Sequence, residues 1–380
     1  MEIRQTMMRS LNDLPAAISE LSGAAPQLIL CFASLGCGAL AHIAKALRQA
    51  LPNVSVAGCS TAGEISVAGV SDQSVVLTAL RFASGTPLLV STRFSGADDS
   101  QAAGARLGRQ LANQPQSAVL LFAQGVNING SALVSGLAAE LPPGSRIVGG
   151  LAGDDGAFQA TQVMANDEAG GDLIVAVAIP AGVTIGHGSF GGWKPFGPAR
   201  KVTRAKANVL YELDGESALS IYKRYLGEHA KGLPASGLLF PFEMLDADHS
   251  SVGLIRTILG VDETSGSLTL AGNIAPDGYL RLMHASNDAL IEGAEAAAEA
   301  ASGMMGDASS KFCLLISCIG RKLVMGKRID DEIEAVGAVF GQGAVLAGFY
   351  SYGEISPFLK TAECKLHNQT MTITSFAEAG

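Results

Sequence analysis

Ala57-Gly-Cys-Ser-Thr-Ala-Gly-Glu64 and Ala347-Gly-Phe-Tyr-Ser-Tyr-Gly-Glu354 are two copies of one motif, and Ile-Ser follows each copy. A shorter version, Val-Gly-Gly-Leu-Ala-Gly-Asp, occupies residues 148–154. Each version closes a unit with an apolar strand, a loop of small residues, an Ala/Leu-rich helix and a second short apolar run. The opening strands are predicted at residues 27–34, 117–124 and 312–318. Repetition on this scale indicates that one supersecondary unit was duplicated.

The alternation of strands and helices predicts an α/β fold with mixed sheets. A chain of 380 residues is too long for one compact core, so we expect two domains, at residues 26–215 and 216–376. Each domain would be built from the strand–loop–helix–strand units that end in Gly-Glu or Gly-Asp loops. A pseudo-symmetric protein of this class binds ligands at the ends of its strands.

Composition excludes several functional classes. The residues are 48% hydrophobic and 16% charged, which is typical of a well-buried globular protein. The net charge of −9 argues against nucleic-acid binding, because such a protein needs a basic face. The first ten residues carry Glu2, Arg4 and Arg9 and no apolar segment, and the longest uncharged apolar run, near residues 173–182, is far shorter than a membrane span. We therefore expect a cytoplasmic protein without a membrane segment.

Several segments resemble the FIST domain family over nearly the whole chain. The motif at 57–64, the segment Gly-Gly-Leu-Ala-Gly-Asp-Asp at 149–155 and Gly-Gly-Trp-Lys-Pro-Phe-Gly at 191–197 are similar to the FIST N domain. Phe-Tyr-Ser-Tyr-Gly-Glu-Ile-Ser-Pro at 349–357 and Leu-His-Asn-Gln-Thr at 366–370 are similar to the end of the FIST C domain. The resemblance implies an intracellular sensory module that binds a small ligand, such as an amino acid.

The resemblance also implies a signalling partner. Some stand-alone members of the family are haem-bearing proteins that sense nitric oxide (NosP) and control a separate histidine kinase. This sequence shows no output domain of its own, so it resembles that type. We therefore expect a bacterial sensor that acts on a histidine kinase or a cyclic-dinucleotide enzyme; the sequence leaves its oligomeric state open.

The repeated loops supply the first set of candidate ligand residues. Glycine allows the backbone to approach a ligand closely, and a carboxylate there accepts hydrogen bonds from an ammonium or amide group. Alternatively, each carboxylate caps a helix or ties its loop to the neighbouring repeat. The candidates in these loops are Cys59, Ser60, Gly63, Glu64, Gly153, Asp154, Gly353 and Glu354.

A second set lies near the C-terminus, where phenol, imidazole and amide groups could converge on a small polar ligand. The alternative is that these groups satisfy backbone at a sheet edge. The candidates are Tyr350, Tyr352, His367, Asn368 and Gln369. Trp193, the only tryptophan, could form a wall of the site or fill the join between domains.

Haem b is the cofactor that the resemblance suggests. Haem iron needs a His, Cys or Tyr aimed into an apolar slot. The sequence has no C-x-x-C-H attachment motif, so any haem would be held non-covalently. His367 is the first candidate for the iron ligand because it lies in the family motif, and His187 is the second; no other metal site is expected.

Enzymatic function is not expected. The chain lacks the H-E-x-x-H, G-x-S-x-G and Walker motifs. Gly36-Cys-Gly38 imitates part of a dinucleotide fingerprint, but no acidic residue ends the following strand as ribose binding requires. Three alternatives to haem sensing remain at this point: a sensor of an amino acid or another small metabolite, an enzyme whose nucleophile is Cys59 or Ser60, and an interaction scaffold that binds no small molecule.

Overall fold

The computed structural model describes residues 1–34, 40–306, 308, 311–358 and 363–378, so the loop at 36–38 lies outside the described residues. The fold contains one unit three times. The first copy comprises β1 (Glu2–Met8), α1 (Leu14–Ser22), β2 (Leu28–Ala33), α2 (Leu40–Ala50), β3 (Ser55–Ser60), β4 (Glu64–Ser66), β5 (Gly69–Ser71) and β6 (Val75–Arg81). The second comprises β7 (Leu88–Arg93), α3 (Ser100–Leu111), β8 (Gln116–Ala123), α4 (Gly130–Glu140), β9 (Ile147–Leu151), β10 (Val163–Ala165), β11 (Glu168–Gly170) and β12 (Leu173–Pro180).

The third copy begins with β13 (Val183–Phe190) and is then interrupted. The inserted segment forms β14 (Lys194–Pro195), β15 (Arg200–Lys206), β16 (Val209–Leu213), β17 (Glu216–Ser217), α5 (Ala218–Leu226), β18 (Phe242–Leu245), β19 (Ser251–Arg256), β20 (Ile258–Asp262), β21 (Ser267–Leu270) and β22 (Tyr279–His284). The copy resumes with α6 (Asn287–Gly303), β23 (Phe312–Cys318), α7 (Ile319–Met325), α8 (Ile329–Phe340), β24 (Val345–Ser351), β25 (Gly353–Pro357), β26 (Cys364–His367) and β27 (Met371–Glu378). Short 3-10 turns lie at Leu11–Asp13, Ala97–Asp99, Gly227–Gly232, Ala235–Leu239 and Gly326–Arg328.

Each copy builds a six-stranded mixed sheet around one parallel pair. The parallel pairs are β2 with β3, β8 with β9, and β23 with β24. The first strand of each pair also bonds the last strand of its copy in the antiparallel direction: β6, β12 and β27, respectively. The opening strands β1, β7 and β13 complete that side of the sheets. This arrangement confirms the predicted α/β class with mixed sheets.

The copies exchange their hairpins in a ring. The β4–β5 hairpin of the first copy pairs with β24 of the third, β10–β11 of the second pairs with β3 of the first, and β25–β26 of the third pairs with β9 of the second. Every sheet is therefore completed by a hairpin from another copy. Strands on both sides of the predicted boundary at 215/216 share sheets, and the domain limits stay a prediction.

The inner faces of the three sheets share one apolar core. Phe32, Phe122 and Phe349 meet there, with ring centroids 4.8–6.2 Å apart. Helices cover the outer faces: α1 and α2 on the first sheet, α3 and α4 on the second, and α6 and α8 on the third. Along β2, for example, Leu28, Leu30 and Phe32 face the central core while Ile29 and Cys31 face the helices, as alternation along a strand buried on both sides requires.

The first glycine of each motif is explained by the parallel pairs. A Cβ on Gly58, Gly149 or Gly348 would lie 1.7–2.0 Å from a carbonyl oxygen of the neighbouring strand. That separation is far below any contact distance, so only glycine fits. The motif therefore encodes close approach of two strands at the same position in each copy.

The inserted segment forms a separate sheet with its own apolar core, in which Tyr222 of α5 packs on Phe242 of β18. It returns to the third copy at α6. In the part of the chain that the structure describes, no helix is both long and apolar enough to cross a membrane.

Candidate functional site

The Glu64 junction joins the first copy to the third. Glu64 begins β4 directly opposite Phe349 of β24 and is fully buried. Its carboxylate accepts from the Thr61 hydroxyl and from both the amide and the hydroxyl of Ser74, at 3.2 and 2.6 Å. Burial is the main cause that raises its pKa from 4.5 to about 7. The described partners of the carboxylate are all groups of its own copy.

The Glu354 junction repeats this arrangement between the third copy and the second. Glu354 lies opposite Gly150 and is also fully buried. It accepts from the hydroxyl of Ser351 at 2.8 Å and from the amide and hydroxyl of Thr370 at 3.1 and 2.9 Å. Burial again raises the pKa to about 7. Both glutamates therefore bind the turns on either side of their own hairpin. The neighbouring copy is joined by strand pairing and not by the carboxylate, so neither carboxylate ties its loop to another repeat as the alternative interpretation proposed.

Asp154 is not the counterpart of these glutamates. Three equivalent backbone bonds join the copies, from Ala62 N to Tyr350 O, Gly153 N to Ser60 O and Tyr352 N to Leu151 O. Gly153 therefore occupies the same structural position as Ala62 and Tyr352. Asp154, the next residue, occupies the position of Gly63 and Gly353, which is one residue before the glutamates. The matching of Asp154 to Glu64 in the sequence is wrong, because residues 155–162 are an extra loop before β10. The residue paired with β3 at the glutamate position is Val163, opposite Cys59.

Asp154 and Tyr352 instead close this extra loop. One carboxylate oxygen of Asp154 accepts from the Tyr352 hydroxyl and from Phe158 N at 2.8 Å; the other accepts from Gln159 N and Ala160 N. The Tyr352 oxygen also accepts from the amides of Asp154 and Gly156. Its ring stacks on Phe158 at 4.0 Å. Tyr352 and Asp154 thus stabilise the junction between the second copy and the first without a buried glutamate. We call it the second junction.

The remaining loop candidates are also inside the ring. Cys59 is fully buried in β3, and burial raises the pKa of its thiol well above 9. The Ser60 hydroxyl donates to Gly153 O at 2.7 Å and accepts from Gln162 N at 2.9 Å. Gly63 has φ of 129°, and its carbonyl accepts from Tyr350 N at 2.8 Å. Neither the thiol nor the hydroxyl is placed for nucleophilic attack.

Tyr350 belongs to a buried ion-pair network. Its hydroxyl and that of Ser317 donate to one oxygen of Glu332, whose other oxygen pairs with Arg321 at 2.7 Å. Arg321 and Glu332 are both fully buried. The Arg321 guanidinium also donates to the carbonyls of Gly191 and Leu290. This network fastens the segment after β13 to α6 and α8.

The C-terminal candidates form the turn between β26 and β27. His367 is buried; its Nε2 lies 3.0 Å from the carbonyl oxygen of Ser356, so Nε2 carries the proton and Nδ1 the lone pair. Burial is the main cause that lowers the pKa of His367 to about 4, so the ring is neutral. Asn368 is also buried, and neither end of its amide bonds a described group. The backbone carbonyl oxygen of Gln369 accepts from Trp193 Nε1 at 2.7 Å, and its side-chain Nε2 donates to Leu238 O.

His367 faces a cleft of about 640 Å³ between the inserted sheet and the third copy. Its apolar walls include Phe190, Trp193, Ile255, Met283 and Phe358, and its polar groups include Ser189, Glu243 and Thr370. We call this region the His367 cleft. The Ser189 hydroxyl is buried without a partner among described groups. Thr370, which lines the cleft, is bonded to Glu354, so one wall of the cleft rests on the Glu354 junction.

The second haem candidate lies elsewhere. His187 is in β13, opposite Thr374, and is buried. Burial lowers its pKa to about 4, and its Nδ1 has no partner among the described groups. It is not among the described residues that line the His367 cleft. The two histidines therefore do not form one site.

The tertiary structure adds residues that the sequence did not single out. Phe190, Glu243, Ile255, Met283 and Phe358 come from five separate elements or turns and meet only in the folded chain. One sequence signal could have indicated them: the third copy is interrupted after β13, and an insertion into a repeat creates a surface that the other copies lack. Among the described residues, no group of three or more His, Cys, Asp or Glu side chains is arranged to hold a metal ion.

The search of curated proteins finds no match. Two family models match almost the whole length of the chain: the FIST N domain matches residues 27–216 and the FIST C domain matches residues 218–357. FIST domains are sensory rather than catalytic modules of signalling proteins and bind small ligands. The chain therefore belongs to the FIST family of signal-transduction sensory proteins.

Proposed function

We propose that the His367 cleft is the ligand site of this sensory protein. The observation that carries the proposal is a neutral imidazole on the wall of a large apolar cleft, with few polar groups beside it. Such a combination is typical of small-molecule sites. By contrast, Cys59, Ser60, Glu64, Tyr350 and Glu354 are fully buried and bonded or packed within the ring, which supports structural roles for them.

Charge narrows the class of ligand. The described lining residues include two acids, Glu243 and Glu363, and no lysine or arginine. Each acid is paired with a cation outside the lining: Glu363 with Lys365, and Glu243 with Arg281, which donates to one oxygen of Glu243 at 2.7 and 3.2 Å. A neutral or cationic molecule with an apolar body fits this lining better than an anion. This supports the interpretation as a sensor of an amine-bearing metabolite, with Glu243 as the partner of the ammonium group.

The location of the cleft between the inserted sheet and the third copy suggests how ligand binding would change the conformation of the protein. The inserted sheet supplies Ile255 and Met283, and the third copy supplies His367 and Thr370. A ligand that bridges both bodies favours the arrangement in which it binds better, and it shifts the equilibrium only by that difference in affinity. A separate histidine kinase or cyclic-dinucleotide enzyme would read the change. That partner, a bacterial source and a cytoplasmic location remain predictions from the resemblance and the sequence.

Haem b is the second candidate, and His367 is the observation that favours it. Iron-binding histidines commonly donate their other ring nitrogen to a backbone carbonyl, and His367 Nε2 is bonded in this way to Ser356. Nδ1 of His367 would hold the iron, and Trp193 and Phe358 would pack on the ring. Haem would supply an iron that binds nitric oxide. No lysine or arginine is among the described lining residues to pair with the haem carboxylates.

One experiment separates these candidates. The purified chain is titrated with haemin, followed by absorption spectroscopy, and its melting temperature is measured with a panel of amines and amino acids. Haem binding predicts a saturable Soret band that is lost in His367→Ala and kept in His187→Ala. An amine site predicts a raised melting temperature that is lost in Glu243→Gln.

A response that persists in both His367→Ala and Glu243→Gln would place the ligand elsewhere and overturn the proposal. Circular dichroism of each variant controls for folding. A chain that responds to neither haemin nor any member of the panel would favour a scaffold without a ligand.

A further inference from the structure

We propose that the His367 cleft selects an aromatic amine that carries a hydroxyl group at its far end and no carboxylate group. Glu243 would bind the ammonium group, and Ser189 and His367 would bind the hydroxyl group. This inference rests on the proposed amine site and narrows its ligand, because it separates an amine from the amino acid that has the same side chain.

The side chains that line the cleft offer mainly lone pairs. His367 donates its ring proton to a backbone carbonyl and keeps a lone pair on Nδ1. Thr370 donates its hydroxyl proton to Glu354, so its oxygen can only accept further hydrogen bonds. Arg281 donates only to Oε2 of Glu243, and no described group donates to Oε1. A ligand must therefore bring hydrogen-bond donors to this lining.

Side-chain donors are scarce on the same walls. The ring N–H of Trp193 is already donated to Gln369 O. The Ser189 hydroxyl is buried and has no partner among the described groups. Ser251, the other serine of the lining, is exposed to solvent. Among the described lining side chains, Ser189 is therefore the buried donor that is available to a ligand.

The chain shows elsewhere what it supplies to a buried carboxylate. Glu64 and Glu354 each accept three hydrogen bonds from amide and hydroxyl groups. Glu332 accepts from two hydroxyl groups and pairs with Arg321. A carboxylate in the cleft would find one buried side-chain donor and would face the lone pairs of other side chains. Because an unpaired charge is costly to remove from water, this lining favours an amine over the corresponding amino acid.

The polar groups of the cleft lie on opposite walls. Glu243 belongs to β18 of the inserted sheet. On the wall formed by the third copy, Ser189 lies in β13 opposite Thr372 of β27, and His367 ends β26, the strand before β27. A ligand that meets both walls has an ammonium group at one end and a second polar group at the other. The rest of the lining is mainly apolar and includes three aromatic side chains: Phe190, Trp193 and Phe358.

A hydroxyl group fits the wall that carries Ser189 and His367. It would donate its proton to Nδ1 of His367 and accept the proton of Ser189, so that both side chains are satisfied. A second ammonium group has no lone pair for the Ser189 proton, and a plain ring edge would leave both side chains unbonded. A site built to bind a hydroxyl group rejects the analogue that lacks it, because its own buried polar groups then stay unpaired.

The test compares three small molecules that differ by single groups. Tyramine carries the ammonium group, the aromatic ring and the hydroxyl group; phenethylamine lacks the hydroxyl group, and tyrosine adds a carboxylate. Binding of each molecule to the full chain is measured by calorimetry at neutral pH. We expect tyramine to bind, phenethylamine to bind about tenfold more weakly, and tyrosine to bind at least about a hundredfold more weakly.

A serine variant locates the effect on the third copy. Ser189→Ala removes the buried donor, so it should lower the affinity for tyramine about tenfold without lowering the affinity for phenethylamine. The matched control is Ser91→Ala, at an exposed serine of β7, the strand that opens the second copy as β13 opens the third. The control should leave both affinities unchanged.

The outcomes separate this inference from the proposed function. Equal affinities for tyramine and phenethylamine, equal affinities for tyramine and tyrosine, or an unchanged tyramine affinity in Ser189→Ala would each overturn the inference and leave the amine site standing. Tyramine binding that persists in Glu243→Gln would overturn the amine site and this inference with it. If none of the three molecules binds, the inference is wrong, and the wider panel and the haemin titration still decide the proposed function.

Discussion

The Glu64 and Glu354 junctions differ from the His367 cleft in what their polar groups contact. At the junctions, each carboxylate accepts three hydrogen bonds from its own chain and is sealed from solvent. In the cleft lining, the Ser189 hydroxyl is buried without a described partner, and so is the amide of Asn368, the residue that follows His367 in the chain. The repeated residues assemble the ring, and the candidate site lies where the repeat is interrupted. The repeated residues of this chain therefore indicate how the copies are assembled, and they do not indicate where the candidate ligand site lies.

If the repeated residues serve to assemble the ring, the largest loss of stability is expected when one of the repeated glycines is substituted. Gly348→Ala would place a Cβ 1.7 Å from Leu315 O. Because both atoms belong to paired backbone strands, neither can move without breaking the sheet, and we expect a loss of about 3 kcal/mol or more in the free energy of unfolding. Urea denaturation measures this loss.

Gly343→Ala is the matched control, because nothing lies within 4 Å of its added methyl group. It should change stability by less than about 0.5 kcal/mol. Equal effects of the two substitutions would contradict the close-approach explanation of the motif.

The buried glutamates should show their structural role in the pH dependence of stability. The pKa of Glu354 is raised from 4.5 to about 7 in the folded chain, so the folded state keeps a proton that the unfolded state loses. Its contribution is complete below pH 4.5 and is lost as pH rises to about 7, a change on the order of 3 kcal/mol. Glu354→Gln cannot ionise, so it should gain stability relative to the wild type by about that amount between pH 4 and pH 8.

Denaturation at several pH values measures this difference. The pKa values of His187 and His367 are lowered to about 4 and act in the opposite direction between pH 4 and 6.5, but they cancel because both proteins contain them. Glu64→Gln should behave like Glu354→Gln, and Glu20→Gln, on the surface of α1, should show no such trend. A difference independent of pH would mean that Glu354 is ionised in the folded chain.

The smallest effect is expected at the second junction, which has Val163 in place of a glutamate. Tyr352→Phe removes the hydroxyl that bonds Asp154 and two further amides of the loop, but it keeps the stack on Phe158. We expect a loss of about 1–2 kcal/mol and faster amide hydrogen exchange in residues 155–160. Tyr211→Phe serves as the control, and ligand binding in the His367 cleft should be unchanged in both variants.

Local pattern was sufficient for much of the fold. The strand predicted at 312–318 is observed with the same limits, because a short continuous apolar run is typical of a buried strand. The three copies of the unit were visible as well. The third was seen only in part, since the insertion separates β13 from α6 and hides the fact that β13 opens that copy.

The site was less accessible to sequence reasoning. His367, Asn368 and Trp193 were named, but their setting was not, because the cleft walls come from strands that carry ordinary apolar residues. Glu243 was not named either, because an acid within a strand of four residues has no local sign of the cleft that packing forms beside it.

By itself, the sequence determined the repeated unit, its glycines, the α/β class and the family, because each depends on residues close together in the chain. Only the tertiary structure decided which copy each hairpin joins, since strands of three residues such as β4 and β10 carry too little pattern to specify a partner. It also decided that Val163 and not Asp154 occupies the glutamate position, because a loop insertion shifts sequence matching but not strand register. The cleft, finally, forms where the inserted sheet packs against the third copy, and neither segment by itself specifies that contact.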